Sequence, residues 1–240
     1  MTAIGNELGI GTSANTTQNL QELIRSWSIV ELLTNVEKHP EDPEWPVNLY
    51  KSWISFNGGH SLLYTVYFNY AISLAGLGDR AGAVNALREC IRLNPDFGPA
   101  YINLGRILEE RGDIGTAVSS WITLVDRLKI VNGESVKNKL LSLIQLGRVL
   151  EGQEQYAPAE DALKQSLEIS IAQPEVIQHW VGLRQRQCKW PVIEASDHIP
   201  SASLLAGIAP LSLANLIDDP MFQLARAYKY NKALVGGLSR

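Results

Sequence analysis

Two stretches of this chain are near copies of each other, "NLGRILEERGD" from Asn103 and "QLGRVLEGQEQ" from Gln145. They start 42 residues apart and agree position by position: amide, Leu, Gly, Arg, aliphatic, Leu, Glu. A looser third copy, "NYAISLAGLGD", starts at Asn69. A half-helix written three times limits the possible folds more than any other feature. One helix pair cannot bury its own apolar face, whereas stacked pairs share a continuous core, and about three units suffice for stability.

Counted from Tyr64, Gly98 and Leu140, each unit reads as helix, short turn, helix. The first two starts are 34 residues apart, which is the tetratricopeptide period. The third follows 42 residues later, because "KIVNGESVK" lengthens the connection. The bulky fourth residue is Tyr67, Tyr101 and Leu143, and the small eighth residue, where two helices cross closely, is Ala71, Gly105 and Gly147. The turn carries Gly78-Asp79, Gly112-Asp113 and Glu154-Gln155. The second helix packs from Ala83, Ala117 and Ala159, and Pro95 closes the first unit. The third unit has neither the turn glycine nor the proline. The expected fold is all-α: a tetratricopeptide-repeat (TPR) helical solenoid, wound as a right-handed superhelix with helical caps.

Residues 1–16 are rich in Gly, Ser, Thr and Asn and are expected to form a disordered tail. An N-terminal helical cap follows over 17–63, with Leu20, Leu23, Ile24, Trp27, Val30 and Leu33 at helical spacing, then a short helix stopped by Gly58-Gly59. Three TPR-like pairs fill 64–172, at approximately 64–97, 98–131 and 140–173. Residues 174–240 read as a capping helix between Pro174 and Pro191, short helical segments, and a last helix begun by Asp218-Asp219-Pro220.

Charge and composition narrow the partners. The net charge is −4, with no Lys or Arg run to follow a phosphate backbone, so nucleic acid is not expected. No apolar run reaches the roughly 18 residues of a membrane span, and "MTAIGNELGIGTSANTTQ" is not a signal peptide. Cys90 and Cys188 lie far apart without CxxC spacing, which suits a reducing, cytoplasmic setting. His39, His60, His179 and His198 show no metal-ligand spacing, and neither a metal nor a cofactor is expected. Ser196, Asp197 and His198 are adjacent, but a catalytic triad is assembled across a fold and adjacent residues cannot line up in it. No catalytic residue is assigned.

The candidate binding residues lie on the first helix of each unit. Asn69, Asn103 and Gln145 occupy the sixth position and would point into the concave groove. An amide donates to a peptide carbonyl and accepts from a peptide N–H at once, so a ladder of amides grips extended backbone of any sequence. Local packing is the other reading of the same residues. Arg106/Glu109 and Arg148/Glu151 recur three residues apart, either as a charged groove reading a bound segment or as two solvated ion pairs worth about 0.2–0.5 kcal/mol each.

Repeats followed by "HWVGLRQRQCKWPVI" and "PLSLANLIDDPMFQLARAYKY" resemble SPINDLY-type O-linked N-acetylglucosamine transferases. The matching residues are Leu183, Arg184, Gln185, Gln187, Cys188, Trp190 and Pro191, then Pro210, Leu211, Ser212, Asp218, Asp219 and Pro220, within a likeness spanning Tyr64 to Lys232. The resemblance implies asparagine ladders that hold protein substrates, and a pair of downstream α/β domains that bind UDP-GlcNAc. Only 50 residues follow Trp190, without a Gly-rich strand-to-helix turn, so the chain reads as the front part of such an enzyme. The expected function is a protein-interaction module that holds a peptide or protein segment in its groove, with no catalysis of its own. The alternative is the substrate-recruiting part of a protein O-GlcNAc transferase whose glycosyltransferase domain lies elsewhere.

Overall fold

The computed structural model describes residues 21–128 and 132–237, and the expected tail over 1–16 lies outside them. The described residues carry helices and no strand. A helical turn at 21–26 leads into α1 (Ile29–Val36) and α2 (Trp45–Phe56). Two helix pairs follow: α3 (Leu63–Gly76) with α4 (Arg80–Leu93), and α5 (Gly98–Glu110) with α6 (Ile114–Arg127). These form the first of two units, ending at Arg127. The second holds α7 (Gly133–Gly152), α8 (Tyr156–Ile169), α9 (Pro174–Arg186), α10 (Ser201–Gly207), α11 (Pro210–Ala214) and α12 (Pro220–Gly237).

Within the first unit, the N-terminal core is built on tryptophan. Trp45, Trp53 and Trp27 are buried with Ile24, Leu32, Leu49, Leu63 and Val66. Burial of an indole requires a partner for its N–H. Trp53 Nε1 donates to Trp27 O at 2.9 Å and Trp45 Nε1 to Asn35 O at 2.8 Å. Leu20 lies outside the described residues, and from Leu23 to Leu33 the continuous helical spacing does not hold, because the helix breaks at Trp27-Ser28. Ser28 caps α1 in a reciprocal capping box with Glu31. The break changes the register, so Leu32 is buried while Leu23 and Val30 are exposed.

The repeated eighth residue is where paired helices touch. A Cβ on Gly105 would lie 2.3 Å from Trp121 Cε2, and one on Gly147 would lie 2.3 Å from Leu163 Cδ2. At the matching site Ala71 is fully buried. The turns are equally uniform. Asp79 N donates to Leu74 O, Asp113 N to Leu108 O and Gln155 N to Leu150 O, each at 2.9 Å, the six-to-one bond of a Schellman ending. That ending needs a left-handed residue, supplied by Gly78 (φ 83°), Gly112 (φ 81°) and, in the third pair, Glu154 (φ 58°). The helix α9 closes in the same way without glycine: Lys189 N donates to Arg184 O, and Cys188 has φ 52°. It therefore ends at Arg186, before Pro191.

The long connection expected before Leu140 is largely helix. Asn132 caps α7, its side chain accepting from Ser135 N at 2.8 Å, so the helix starts seven residues before Leu140 and runs for 20 residues. Residues 129–131 lie outside the described residues.

Two outcomes follow for stability. Gly105→Ala forces Trp121 off its seat and lowers unfolding free energy by about 2 kcal/mol in urea titration, the usual cost of overpacking. Glu154→Gly relieves a left-handed non-glycine residue and raises it by about 0.5–1 kcal/mol, read as a higher Tm.

Candidate functional site

The sixth position of each first helix presents the amides. Asn69, on α3, is half-buried, and its side chain hydrogen-bonds none of the described residues. Asn103, on α5, is half-buried and partly occupied: Nδ2 donates to Pro99 O at 2.9 Å, and Oδ1 accepts a long bond from Arg106 Nη2 at 3.5 Å. In the second unit Gln145 sits half-buried on α7, its Oε1 held in a fork by Arg148 Nε at 3.1 Å and Nη2 at 2.8 Å. The amide–x–x–Arg spacing thus gives an Arg-to-amide contact in two units. The two asparagines belong to the first unit and Gln145 to the second.

The charged residues pair differently from their three-residue spacing. Arg106 Nη1 bonds Glu110 Oε1 at 2.7 Å, one residue beyond Glu109. Glu110 Oε2 also accepts from Arg80 Nε at 3.2 Å, linking α5 to the start of α4. Four residues separate side chains on one helix face as well as three do. All three side chains are more than a third exposed, so each contact is worth about 0.2–1 kcal/mol. Glu109 is half-buried on α5. In the second unit, Glu151 is directed at α9: Oε1 accepts from Arg186 Nη1 at 2.7 Å, and Oε2 contacts His179 Nε2. Glu151 therefore ties two helices together.

The strongest polar assembly was not legible as a site. Glu160, on α8, and Arg184, on α9, are both buried. Arg184 Nη1 donates to Glu160 Oε1 at 2.7 Å and lies 2.6 Å from Glu194 Oε2. Its Nε donates to Val192 O at 3.0 Å and its Nη2 to Pro191 O at 2.9 Å, while the guanidinium stands 5.0 Å from the Trp180 ring centre. Glu160 Oε2 accepts from Lys189 Nζ at 2.6 Å and Gln187 Nε2 at 2.9 Å. Arg184, Gln187 and Lys189, within the stretch that carries the transferase resemblance, therefore converge on one carboxylate and fix the chain from Pro191 to Glu194. Burial pushes the Glu160 carboxyl up, but the bonds from Lys189 and Arg184 outweigh it and hold it below the ordinary value.

The other candidates are dispersed. Ser196, Asp197 and His198 are exposed, with Ser196 and Ile199 paired in a single antiparallel bridge. Cys90 is buried in α4, and burial pushes its thiol up to about 12. Between α3 and α4 lies a hollow of 240 Å³ lined by Tyr67, Tyr70, Leu74, Asp79, Asn85 and Glu89. Burial and Asp79 raise the Tyr70 hydroxyl above its usual value. Among the described residues, no group of three or more His, Cys, Asp and Glu side chains is placed to hold a metal ion. None of the described helices is long and apolar enough to cross a membrane.

Removing one partner of the buried pair separates charge from its compensation. Arg184→Met should cost about 3–5 kcal/mol in denaturant unfolding of the full chain. The lowered Glu160 carboxyl contributes stability that is present above its unfolded value of 4.5 and is lost as pH falls through the folded value. Glu160→Gln should accordingly flatten the acid limb of a Tm-against-pH curve below about pH 4.5.

Residues 64–97 and 96–172 match models of the tetratricopeptide repeat. No curated protein matches the chain by sequence. Among solved structures, the chain is similar to MamA (residues 41 to the end) from Desulfovibrio magneticus RS-1, at 17% identity and TM-score 0.51, covering 83% of this chain and 97% of that one. It is similar to PilF from Pseudomonas aeruginosa, at 14% identity and TM-score 0.53, covering 90% and 94%. It is also similar to the apo quorum sensor NprR from B. thuringiensis, at 13% identity and TM-score 0.52, covering 89% and 62%. At these identities the likeness shows the fold alone. The chain is an all-α helical solenoid built on tetratricopeptide repeats, an architecture that serves protein–protein interaction.

Proposed function

We propose that α3 and α5 hold an extended segment of a protein partner, with Asn69 and Asn103 on its backbone, and that Gln145 offers a further amide in the second unit. The observation that carries this reading is Asn69. It is a half-buried amide with a donor and an acceptor that no described residue uses. An amide kept at a repeated position without a local partner is equipped to pair with backbone arriving from outside. Asn103 and Gln145 supply less. Asn103 has spent one donor on Pro99 O, and Gln145 has spent its acceptor on Arg148 while its Nε2 remains open. In this reading Arg106 and Glu109 border the contact in the first unit, Arg148 and Glu151 stand beside Gln145 in the second, and each arginine orients the amide it touches. The role as recruiting arm of a sugar-transfer enzyme rests on the resemblance over Leu183–Pro191 and Pro210–Pro220 alone; among those residues Arg184 and Gln187, with the neighbouring Lys189, are engaged in fastening α9 to α8 through Glu160.

A random-peptide display library selected on the wild-type chain supplies the probe, and the recovered peptides are then titrated against variants. Asn69→Ala with Asn103→Ala removes two backbone contacts, each worth about 1 kcal/mol, and should weaken capture about tenfold or more at unchanged far-UV circular dichroism. Equal affinity in the double variant overturns the role of the amides.

A further inference from the structure

Five of the six most exposed large apolar side chains among the described residues gather between residues 190 and 228: Leu211, Trp190, Met221, Tyr228 and Leu224. Three of them form a stripe. Met221, Leu224 and Tyr228 stand three and four residues apart on α12, and so share one helix face. They are 74%, 65% and 69% exposed. It is the opposite face that is fastened. Phe222, Gln223 and Arg226 are half-buried, Gln223 Nε2 donates to Ile217 O, and Arg226 donates to the Ala206 carbonyl oxygen. The helix therefore keeps its apolar stripe turned away from the residues it packs on.

Charge identifies what covers the stripe. Residues 220–240 hold four of the 21 Lys and Arg residues and none of the 25 Asp and Glu residues, leaving 17 basic against 25 acidic residues over 1–219. Lys229 and Lys232 are exposed on α12. Asn231 and Lys232 continue the face of Leu224 and Tyr228, so the apolar stripe is short and ends in polar residues. The occupant that fits is an acidic protein surface with an apolar side chain in it. The chain carries such a surface at its other end. Val30, 73% exposed on α1, precedes Glu37, Glu41, Asp42 and Glu44, with Lys38 as the sole basic residue from Ile29 to Glu44. Glu37, Glu41 and Glu44 are exposed.

We infer that α12 of one copy docks on α1 and the acidic α1–α2 connection of a second copy, so that the chain self-associates head to tail. The two surfaces differ, so the contact is heterologous. It is independent of the amide contacts proposed above.

Sedimentation velocity of the full chain over a concentration series is the test. The weight-average mass should rise above the 26.5 kDa of one chain and fall back as salt screens the contact. Leu224→Glu with Tyr228→Glu, and separately Lys229→Glu with Lys232→Glu, should hold the chain at single-chain mass. Adding Glu37→Lys, Glu41→Lys and Glu44→Lys to the lysine reversals should restore association. The inference is overturned if the wild-type chain stays single at every concentration or if association survives the stripe substitutions. It is equally overturned if the charge exchange fails to restore association, or if the stripe instead carries single chains onto phosphatidylglycerol vesicles.

Discussion

A side chain no larger than a methyl group at each helix crossing is the constraint on which the repeats depend, and in two of the three pairs even the Cβ is missing. Trp121 occupies the space that a side chain on Gly105 would need, and Leu163 does the same at Gly147. Close approach lets large residues on the second helix fill the interface, so Trp121, Leu124, Leu163 and Leu167 are buried with little gap between backbones. The left-handed turn sets the angle at which the second helix returns. Where glycine is absent, as at Glu154, the turn keeps its form because the packing on either side dictates it.

The stack was legible because both requirements leave compositional marks. Small residues recur at the crossing, and Gly-Asp recurs at two of the three turns. The remaining features depend on competition between local signals or on distance along the chain. Ser28 and Glu31 form a capping box inside the apolar period from Leu23 to Leu33, and the cap prevails over the period. Asn132 likewise caps a helix that the repeat boundary at Leu140 concealed. Glu160 carried no local signal, since its partners lie 24 to 29 residues away and nothing in "YAPAEDALK" marks one acid as buried.

The repeat register gives the candidate amides their helices, and their hydrogen-bond partners are set by neighbours. Position six marks the amides, but whether each is free depends on neighbours: Pro99 O occupies part of Asn103, and Arg148 occupies the acceptor of Gln145. The charge pairs show the same limit. Spacing narrows the choices to three or four residues away, and the third dimension selects Glu110 for Arg106 and turns Glu151 toward α9.

The carboxylate of Glu160 has a consequence for how the chain is made. As synthesis proceeds, α8 leaves the ribosome before the residues that neutralise it, and Lys189 emerges last of the three. Until then Glu160 cannot be buried without an uncompensated charge, so α8 must leave that face hydrated. The α8–α9 contact is consequently completed in one late step, when a stretch of six residues delivers two cations and an amide together. A chain interrupted before Lys189 would retain its repeats and lack the means to seal them.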